Sequence, residues 1–198
     1  MIKDSVIYTF EPYLNNYKFL KKNISVNNIK NIKTFECGLY SSNKLLNMGY
    51  PNLDKLYDSL FLKLVKKSDK YDLGCKSIYY DINDNNTLEC QFYEGDEFII
   101  NHNVDSIDLI KIDTEGSEMD VLNGLNNSIN DFHPILIIEF NNRIINSLYS
   151  KGKNHILEFL SSHNYQSYID FNQNSTTFKD LNNLYNYHNN RSIDYVFI

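Results

Sequence analysis

DLIKIDTEGSEMD, residues 108–120, is the stretch of sequence that decides the fold. Its opening residues, 108–112, form a short, mostly apolar and β-branched run whose length suits an interior strand better than a helix. Gly116 can adopt a backbone conformation that other residues avoid, and Ser117 followed by Asp120 is typical of a capped helix start. The stretch therefore predicts a buried strand, a tight turn and a helix.

Three carboxylates crowd this predicted junction between strand and helix: Asp113, Glu115 and Glu118. In open α/β sheets, ligands bind outside the carboxyl ends of the strands, so a cofactor or substrate is expected here. Glu115 and Glu118 also have a plain structural explanation, because acidic groups stabilise the positive end of a helix dipole. Asp113 precedes the helix and needs a partner of its own, so it is the first candidate for chemistry.

Several longer segments of the sequence resemble one known family. IKIDTEGSEMDVLNGL (110–125), followed by PILIIEF (134–140), resembles the core signature of the FkbM-type methyltransferase family, which comprises S-adenosylmethionine-dependent enzymes of the Rossmann-like class. IYTFEPYLNNYKFLKKNISVNN (7–28) resembles the second strand of that family and the helix after it. With DYVFI at residues 194–198, the resemblance covers most of the chain and is loose only within 44–90.

The resemblance implies an α/β fold of the Rossmann-like methyltransferase type. Its sheet is expected to be mostly parallel with an antiparallel last strand, and to carry helices on both faces. Residues 135–140 are apolar on both faces, as in an interior parallel strand covered by helices. At 198 residues the chain is long enough for one sizeable core and short for two, so a single domain is predicted over residues 1–198.

The N-terminal β-α unit of the family has no counterpart in the sequence. That unit carries a glycine-rich turn by which the backbone approaches the methionine part of the cofactor, whereas the seven glycines here form no GxG pair. We therefore expect the first β-α unit to be missing. The lost strand would lie between the strands that end at Glu11 and Asp113, leaving two edges that need partners. Either these strands pair directly, or an upstream segment, a partner chain or a homo-oligomer covers the gap.

The family implies a cofactor, S-adenosyl-L-methionine, and residues that bind it. Glu11 follows the predicted strand 5–10 and would hold the ribose, because two hydroxyls can donate to the two oxygens of one carboxylate. A charge at the start of the next helix would also explain Glu11. Gly38 and Leu39 end the next predicted strand, 33–39, where the family places residues beside the adenine.

The predicted catalytic residues are Asp113, Glu115 and Glu139. Methyl transfer is an in-line displacement, so much of the rate comes from holding the nucleophile and excluding water, and one carboxylate suffices to take the proton. Asp113 is the expected base or substrate-orienting group, with Glu115 or Glu139 assisting. Glu139, Asn141 and Asn142 follow the second predicted strand and would reach the same crevice.

Composition limits the partners and the compartment. A net charge of −6 argues against nonspecific nucleic-acid binding and against docking on an anionic membrane, although a lysine group at 63–70 leaves a local basic patch open. Cys37, Cys75 and Cys90 predict neither a disulfide framework nor a zinc site, and no metal is expected. With no signal peptide and no apolar span, we expect a soluble cytoplasmic protein.

Two functions of different classes follow from the sequence. The first is an S-adenosylmethionine-dependent methyltransferase acting on a hydroxyl of a small molecule or sugar. The second is a non-catalytic Rossmann-like module or partner subunit that has lost cofactor binding. The missing glycine turn favours the module, and the intact motifs at residues 10–12 and 111–118 favour the enzyme.

Elements outside the central stretch are predicted from their periodicity and turn residues. Asp96 and Glu97 match an acidic pair that the family places before its central strand. The remaining predictions are helices at 14–22, 52–67 and 154–162, a surface turn at 81–86, and strands at 88–93, 165–169 and 193–198.

Overall fold

The structure is a computed structural model that describes most of the chain. The described residues are 5–49, 78, 87–141, 153–170, 178–185 and 192–198. The predictions for the helix at 52–67, the turn at 81–86, the lysine group at 63–70, Cys75 and Asn142 lie outside these ranges. No helix within the described ranges has both the length and the apolar character that a membrane crossing needs.

Contacts between residues divide the chain into two compact units. The first comprises Met1–Leu39 and Asn43–Tyr93, and the second comprises Tyr40–Ser42 and Glu94–Ile198. The single domain expected from the chain length stays a prediction, because compact units and independently folding domains are different properties.

The first unit begins with a β-α-β segment, whose elements are β1 (Ile7–Phe10), α1 (Leu14–Val26) and β2 (Ile32–Phe35). β1 and β2 pair in parallel, with Ile7 opposite Ile32 and Phe10 opposite Phe35. The segment confirms the predicted first strand and the helix after it, and α1 runs one turn beyond the predicted end. No side chain of α1 is buried.

A second sheet in this region corrects one sequence prediction. Its strands are β3 (Gly38–Tyr40), β4 (Lys44–Met48) and β5 (Leu88–Glu94), in the order β3-β5-β4. The single strand predicted at 33–39 is therefore wrong, because β2 ends at Phe35 and Gly38 already begins β3 in a different sheet. The reason lies in packing: a Cβ at Gly38 would come within 2.3 Å of the Phe92 ring, so glycine lets β3 lie close to β5.

The second unit continues the alternation of helices and strands. Its elements are α2 (Gly95–Asn101), β6 (Leu109–Ile112), α3 (Glu118–Gly124), α4 (Asn126–Phe132), β7 (Ile135–Asn141), α5 (Lys153–Ser162), β8 (Ser167–Asp170), β9 (Lys179–Asp180), α6 (Asn182–Tyr185) and β10 (Ser192–Phe197). The strands predicted at 108–112, 135–140, 165–169 and 193–198 and the helix at 154–162 are all present within two residues of their predicted bounds.

The five strands of this unit form one mixed sheet in the order β6-β7-β10-β8-β9. β6 and β7 pair in parallel, with Ile112 opposite Ile138. The last strand, β10, runs antiparallel to β7, with Phe197 opposite Leu136, and antiparallel to β8. The α/β class with parallel strand pairs and an antiparallel last strand is confirmed.

The core of the second unit lies against one face of this sheet. Along β7, Leu136, Ile138 and Phe140 are fully buried, and they alternate with Ile135, which is 42% exposed, and with half-buried Ile137. Alternate residues of a strand point to opposite faces, so one face of β7 is core and the other is partly open. The burial of both faces predicted for residues 135–140 is wrong.

Asp96 fastens α2 to α4. Its Oδ2 accepts a hydrogen bond of 2.9 Å from the backbone N–H of Asn127, and its Oδ1 accepts one of 2.8 Å from that of Ser128. The first amides of a helix lack partners within the helix, so a carboxylate at this place satisfies donors that burial would otherwise leave unpaired. One member of the predicted acidic pair is thus a structural residue.

Gly124, the last residue of α3, sits where no side chain fits. A Cβ built on it would lie 1.8 Å from the backbone oxygen of Tyr40. The separation required between a carbon and a carbonyl oxygen is about 3.3 Å or more, so only glycine allows this approach. The contact holds the end of α3 against the Tyr40–Ser42 segment of the same unit.

Candidate active site

The centre of the candidate site is the turn between β6 and α3. β6 ends at buried Ile112, and Asp113 follows as an exposed residue. Glu115 has a φ of 53° and Gly116 a φ of 113°, so both lie in the left-handed region. The special conformation predicted for Gly116 is confirmed. For Glu115 this conformation costs about 1–2 kcal/mol, because the Cβ approaches the following carbonyl oxygen.

The buried carboxylate of Glu118 holds this turn. Its Oε1 accepts hydrogen bonds from the backbone N–H of Thr114 at 3.2 Å, the Thr114 hydroxyl at 3.1 Å and the backbone N–H of Gly116 at 3.0 Å. Glu118 is only 1% exposed. A hydrogen bond contributes about 0.5–1.5 kcal/mol net, so the three together are enough to offset the strain at Glu115.

The predicted capping box at this helix start is wrong in one respect. α3 begins where expected, and Ser117 occupies the N-cap position, but the Ser117 side chain makes no capping hydrogen bond. Instead, Glu118, the first residue of the helix, accepts hydrogen bonds from amides just before the helix. This side chain therefore holds the turn. The signal for this in the sequence was the Glu four residues after Thr114, for which a site carboxylate and a dipole charge were both left open.

Burial also sets the proton affinity of Glu118. Burial raises the pKa of this carboxyl above its ordinary value of 4.5, and the donors from Gly116, from its own backbone and from Thr114 act in the opposite direction. The desolvation outweighs the hydrogen bonds, so the neutral form is favoured more than in an exposed glutamate.

The structure brings the three predicted catalytic residues together. One oxygen from each of Asp113, Glu115 and Glu139 lies within 4.8 Å of the other two. The register of the sheet explains the first pair, because Ile112 is opposite Ile138 and each carboxylate is the next residue along its strand. Glu115 supplies the third carboxylate from the turn after β6, where its backbone is in the left-handed region.

Lys111 is a residue of this site that the sequence analysis missed. Its Nζ donates to Oδ2 of Asp113 at 2.5 Å. Partial burial acts to lower the pKa of Lys111, but the hydrogen bond to Asp113 and the charges of Asp113, Asp194 and Glu139 outweigh it, so the pKa lies above its ordinary value. Lys111 therefore stays protonated and balances a group of carboxylates. A charged residue inside the otherwise apolar run LIKI was the signal for it.

The carboxylate trio also has the spacing of a metal site among the residues that the structure describes. Carboxylate oxygens are the ligands that Mg²⁺ and Ca²⁺ prefer. Acidic groups at a protein surface often gather without an ion, and here Asp113 is exposed and already paired with Lys111. The absence of a metal expected from the sequence stays a prediction.

Glu11 directly follows β1 and is held at the start of α1. Its Oε1 accepts a hydrogen bond from the backbone N–H of Tyr13 at 2.8 Å, and its Oε2 accepts one from Nδ2 of Asn16 at 3.4 Å. Its own backbone N–H donates to the carbonyl oxygen of Phe35 on β2. These contacts support a helix-start role for Glu11, and its contact with the ribose stays a prediction.

The two residues predicted to lie beside the adenine, Gly38 and Leu39, open β3 in the first unit. Gly38 is buried, and the space that a side chain would need is taken by the Phe92 ring. Leu39 is half-buried. The glycine therefore has a packing explanation within its sheet, and the adenine contact stays a prediction.

Fold and site together define an α/β protein with a carboxylate cluster beyond the carboxyl ends of two parallel strands, the place where such sheets bind ligands. Residues 3–167 match the family model described as the methyltransferase FkbM domain. The chain belongs to the FkbM methyltransferase domain family, which confirms the resemblance found in its sequence.

Two related proteins show how far the similarity extends. A relative described as "Methyltransferase sdnD" from Sordaria araneosa is 29% identical over 133 residues, which are 60% of this chain and 51% of the relative. The crystal structure of methyltransferase FkbM from Methylobacillus flagellatus KT has the same fold, with a TM-score of 0.55 and 14% identity over 98% of this chain and 36% of that one. The chain thus spans about half the length of the first relative and about a third of the second.

Proposed function

We propose that this chain is the catalytic part of an S-adenosylmethionine-dependent methyltransferase that methylates a hydroxyl of a small molecule or sugar. The observation that carries the proposal is the convergence of Asp113, Glu115 and Glu139 at the end of a parallel strand pair in a chain of the FkbM methyltransferase family. A matching relative also bears the name methyltransferase.

The carboxylates suit the proton transfer that methylation of a hydroxyl requires. S-Adenosylmethionine, when bound, supplies an activated methyl group, and the acceptor oxygen releases a proton as it takes the methyl. Asp113 receives that proton, since a carboxylate within hydrogen-bonding distance of the hydroxyl is a competent base. Lys111 fixes the direction of the Asp113 carboxylate through its hydrogen bond. Glu115 and Glu139 accept further hydrogen bonds from the acceptor molecule and orient it.

The cofactor-binding part of the proposal concerns the first unit. Glu11 holds the ribose hydroxyls, and the chemistry of its carboxylate fits them because each of its two oxygens can accept a hydrogen bond from a hydroxyl. Gly38 and Leu39 contact the adenine. Support for these roles comes from the resemblance of residues 7–28 to the family and from the position of Glu11 just beyond a parallel strand.

The proposed partners are a small-molecule or sugar acceptor, and neither nucleic acid nor a membrane. The net charge of −6 supports both exclusions. A second copy of the chain or a partner chain would cover the strand edge that the family's first β-α unit occupies. We place the protein in the cytoplasm, which fits the free, buried thiol of Cys37.

Calorimetric titration with S-adenosylmethionine and S-adenosylhomocysteine tests the proposal. We expect one-to-one binding that Glu11→Ala weakens by about tenfold or more, the loss typical of a hydrogen-bonded charge. Glu36→Ala is the matched control, because Glu36 is an exposed glutamate of the same unit, one residue after β2, and should leave binding unchanged.

The acceptor is sought next by methyl transfer from labelled cofactor to a panel of hydroxyl compounds, with Asp113→Asn as the inactive reference. An absence of heat from a folded chain would contradict the proposal and favour a non-catalytic module. Equal weakening by Glu11→Ala and Glu36→Ala would assign Glu11 to the helix start alone.

A further inference from the structure

Glu118 has no place in the proposed reaction, yet it is the most deeply buried carboxylate among the described residues near the site, at 1% exposure. A carboxylate that only complemented a helix dipole could remain in water, where its charge is solvated. Asp120 is such a residue, since it lies in the first turn of α3 and is half-buried. The burial of Glu118 therefore points to a different task.

The hydrogen bonds of Glu118 surround one residue. Glu118 accepts hydrogen bonds from the backbone N–H groups of Thr114 and Gly116. These are the residues on either side of Glu115. These two N–H groups belong to the peptide units on either side of the Thr114–Glu115 pair, so fixing both limits the φ and ψ that these two residues can adopt. Glu115 lies in the left-handed region, which a glutamate rarely occupies without support from its surroundings.

We propose that Glu118 is a positioning residue of the site. Its Oε1 clamps the amides on both sides of Glu115 and thereby places the Glu115 carboxylate beside those of Asp113 and Glu139. The consequence for catalysis rests on the proposed function, whereas the clamp itself can be measured without any ligand.

The clamp uses one oxygen, which makes a sharp test possible. All the side-chain contacts of Glu118 described above fall on Oε1, and Oε2 has no hydrogen-bond partner within the described part of the chain. Glu118→Gln can put its amide oxygen in the place of Oε1 and keep the clamp. Glu118→Ala removes it. Asp120→Asn removes a charge from the same helix turn and leaves the clamp intact.

The first measurement is amide hydrogen exchange at Thr114 and Gly116, followed by nuclear magnetic resonance. We expect exchange at both amides to be at least about tenfold faster in Glu118→Ala than in the wild type, and close to wild type in Glu118→Gln and Asp120→Asn. Equal acceleration in Glu118→Ala and Asp120→Asn would overturn the proposal in favour of a dipole effect.

The second measurement separates positioning from a purely structural role. Once an acceptor is known, Glu118→Ala should lower kcat by about tenfold or more with little change in KM for the cofactor, and Glu118→Gln should restore kcat. Loss of amide protection with an unchanged kcat would overturn the positioning role. If the wild type binds no cofactor, the proposed function fails, while hydrogen exchange still decides whether the clamp exists.

A double variant covers the case in which Glu118→Ala does not fold. Glycine adopts the left-handed region without support, so Glu115→Gly combined with Glu118→Ala should refold if the clamp serves Glu115. A double variant that stays unfolded while Glu115→Gly alone folds would show that Glu118 acts elsewhere in the structure, and would overturn the proposal.

Discussion

Strain at a single residue is the clearest physical sign of function in this chain. Glu115 carries a side chain in a backbone conformation that favours glycine, and the next residue is a glycine in the same region. Such strain persists only where surrounding contacts impose it, and it concentrates at functional sites. The carboxylate that it delivers next to Asp113 and Glu139 gives the strain a use.

At position 115, the glycine variant should be more stable than the alanine variant, which is the reverse of the usual order. Both Glu115→Ala and Glu115→Gly remove the carboxylate and should reduce methyl transfer alike. Glu115→Gly should be more stable than Glu115→Ala by about 1 kcal/mol, because glycine bears no penalty at a φ of 53°. Urea unfolding of the two variants measures the difference. A more stable alanine variant would show that Glu115 is unstrained in solution.

The stability of the chain should also report the burial of Glu118. The pKa of Glu118 is raised in the folded state above the ordinary 4.5. At a pH between 4.5 and the raised pKa, the folded chain therefore binds more protons than the unfolded chain. The contribution to stability is therefore complete below pH 4.5 and is lost as the pH rises through the folded pKa. Glu118→Gln cannot titrate, so its free energy of unfolding should gain on that of the wild type over this window.

Urea unfolding of both proteins from pH 4.5 to neutrality tests this expectation. Glu97→Gln serves as the control, because Glu97 is exposed and should follow the wild type throughout. A difference between Glu118→Gln and the wild type that stays constant with pH would contradict a raised pKa.

At the scale of elements, the sequence predicts strands and helices well where periodicity is local. β6, β7 and α5 were predicted within two residues, and the predicted carboxyl ends of β6 and β7 led to the carboxylate trio. The division of residues 33–39 between β2 and β3 was missed. It depends on the ring of Phe92, which comes from a strand far along the chain and leaves no mark on local pattern.

The same limit explains the residues of the site that were missed. Besides Asp113, the charges of Asp194 and Glu139 raise the pKa of Lys111. These two residues lie on two other strands, and only the register of the sheet brings them near Lys111. Asp96 matched an acidic pair of the family whose task the sequence did not give, and in the structure it accepts hydrogen bonds from the first amides of α4. A motif in the sequence gives the residue type that is needed, and the contacts decide its task.

The acidic pair that precedes β6 offers a matched test of this capping role. Asp96→Ala should lower the free energy of unfolding by about 1–3 kcal/mol, because the buried amide of Ser128 and the partly buried amide of Asn127 lose their acceptor. Glu97→Ala should change it by less than about 0.5 kcal/mol, as is usual for an exposed position. Chemical denaturation measures both. Similar losses from the two variants would show that charge near the helix, and not the cap, is what matters.

At the scale of the molecule, the buried core of the described residues is concentrated in the second unit. Within the described ranges, the fully buried large side chains all belong to that unit, among them Phe140, Ile156 and Tyr195. In the first unit, by contrast, β1, α1 and β2 have no buried residue. Composition alone predicts a core of sufficient size, but the distribution of that core depends on which strands pair and is visible only in the structure.

The overall charge should exclude two classes of partner. With a net charge of −6, the chain should neither retard DNA in a gel nor sediment with phosphatidylserine vesicles at physiological ionic strength. A basic protein of similar size is the positive control for both assays. Binding that weakens steeply as salt is added would contradict this expectation, and would direct attention to the lysines at 63–70.

The contact between Gly124 and the Tyr40 carbonyl determines which mutations the gene tolerates at this codon. Glycine is the one amino acid without a Cβ, so every missense change at this codon puts a carbon 1.8 Å from that oxygen. Gly49 differs, since among the described residues a Cβ there would meet only the Thr87 methyl group, at 3.2 Å. In a library of all single substitutions selected for folded protein, codon 124 should therefore be depleted of every alternative, and codon 49 should retain small residues.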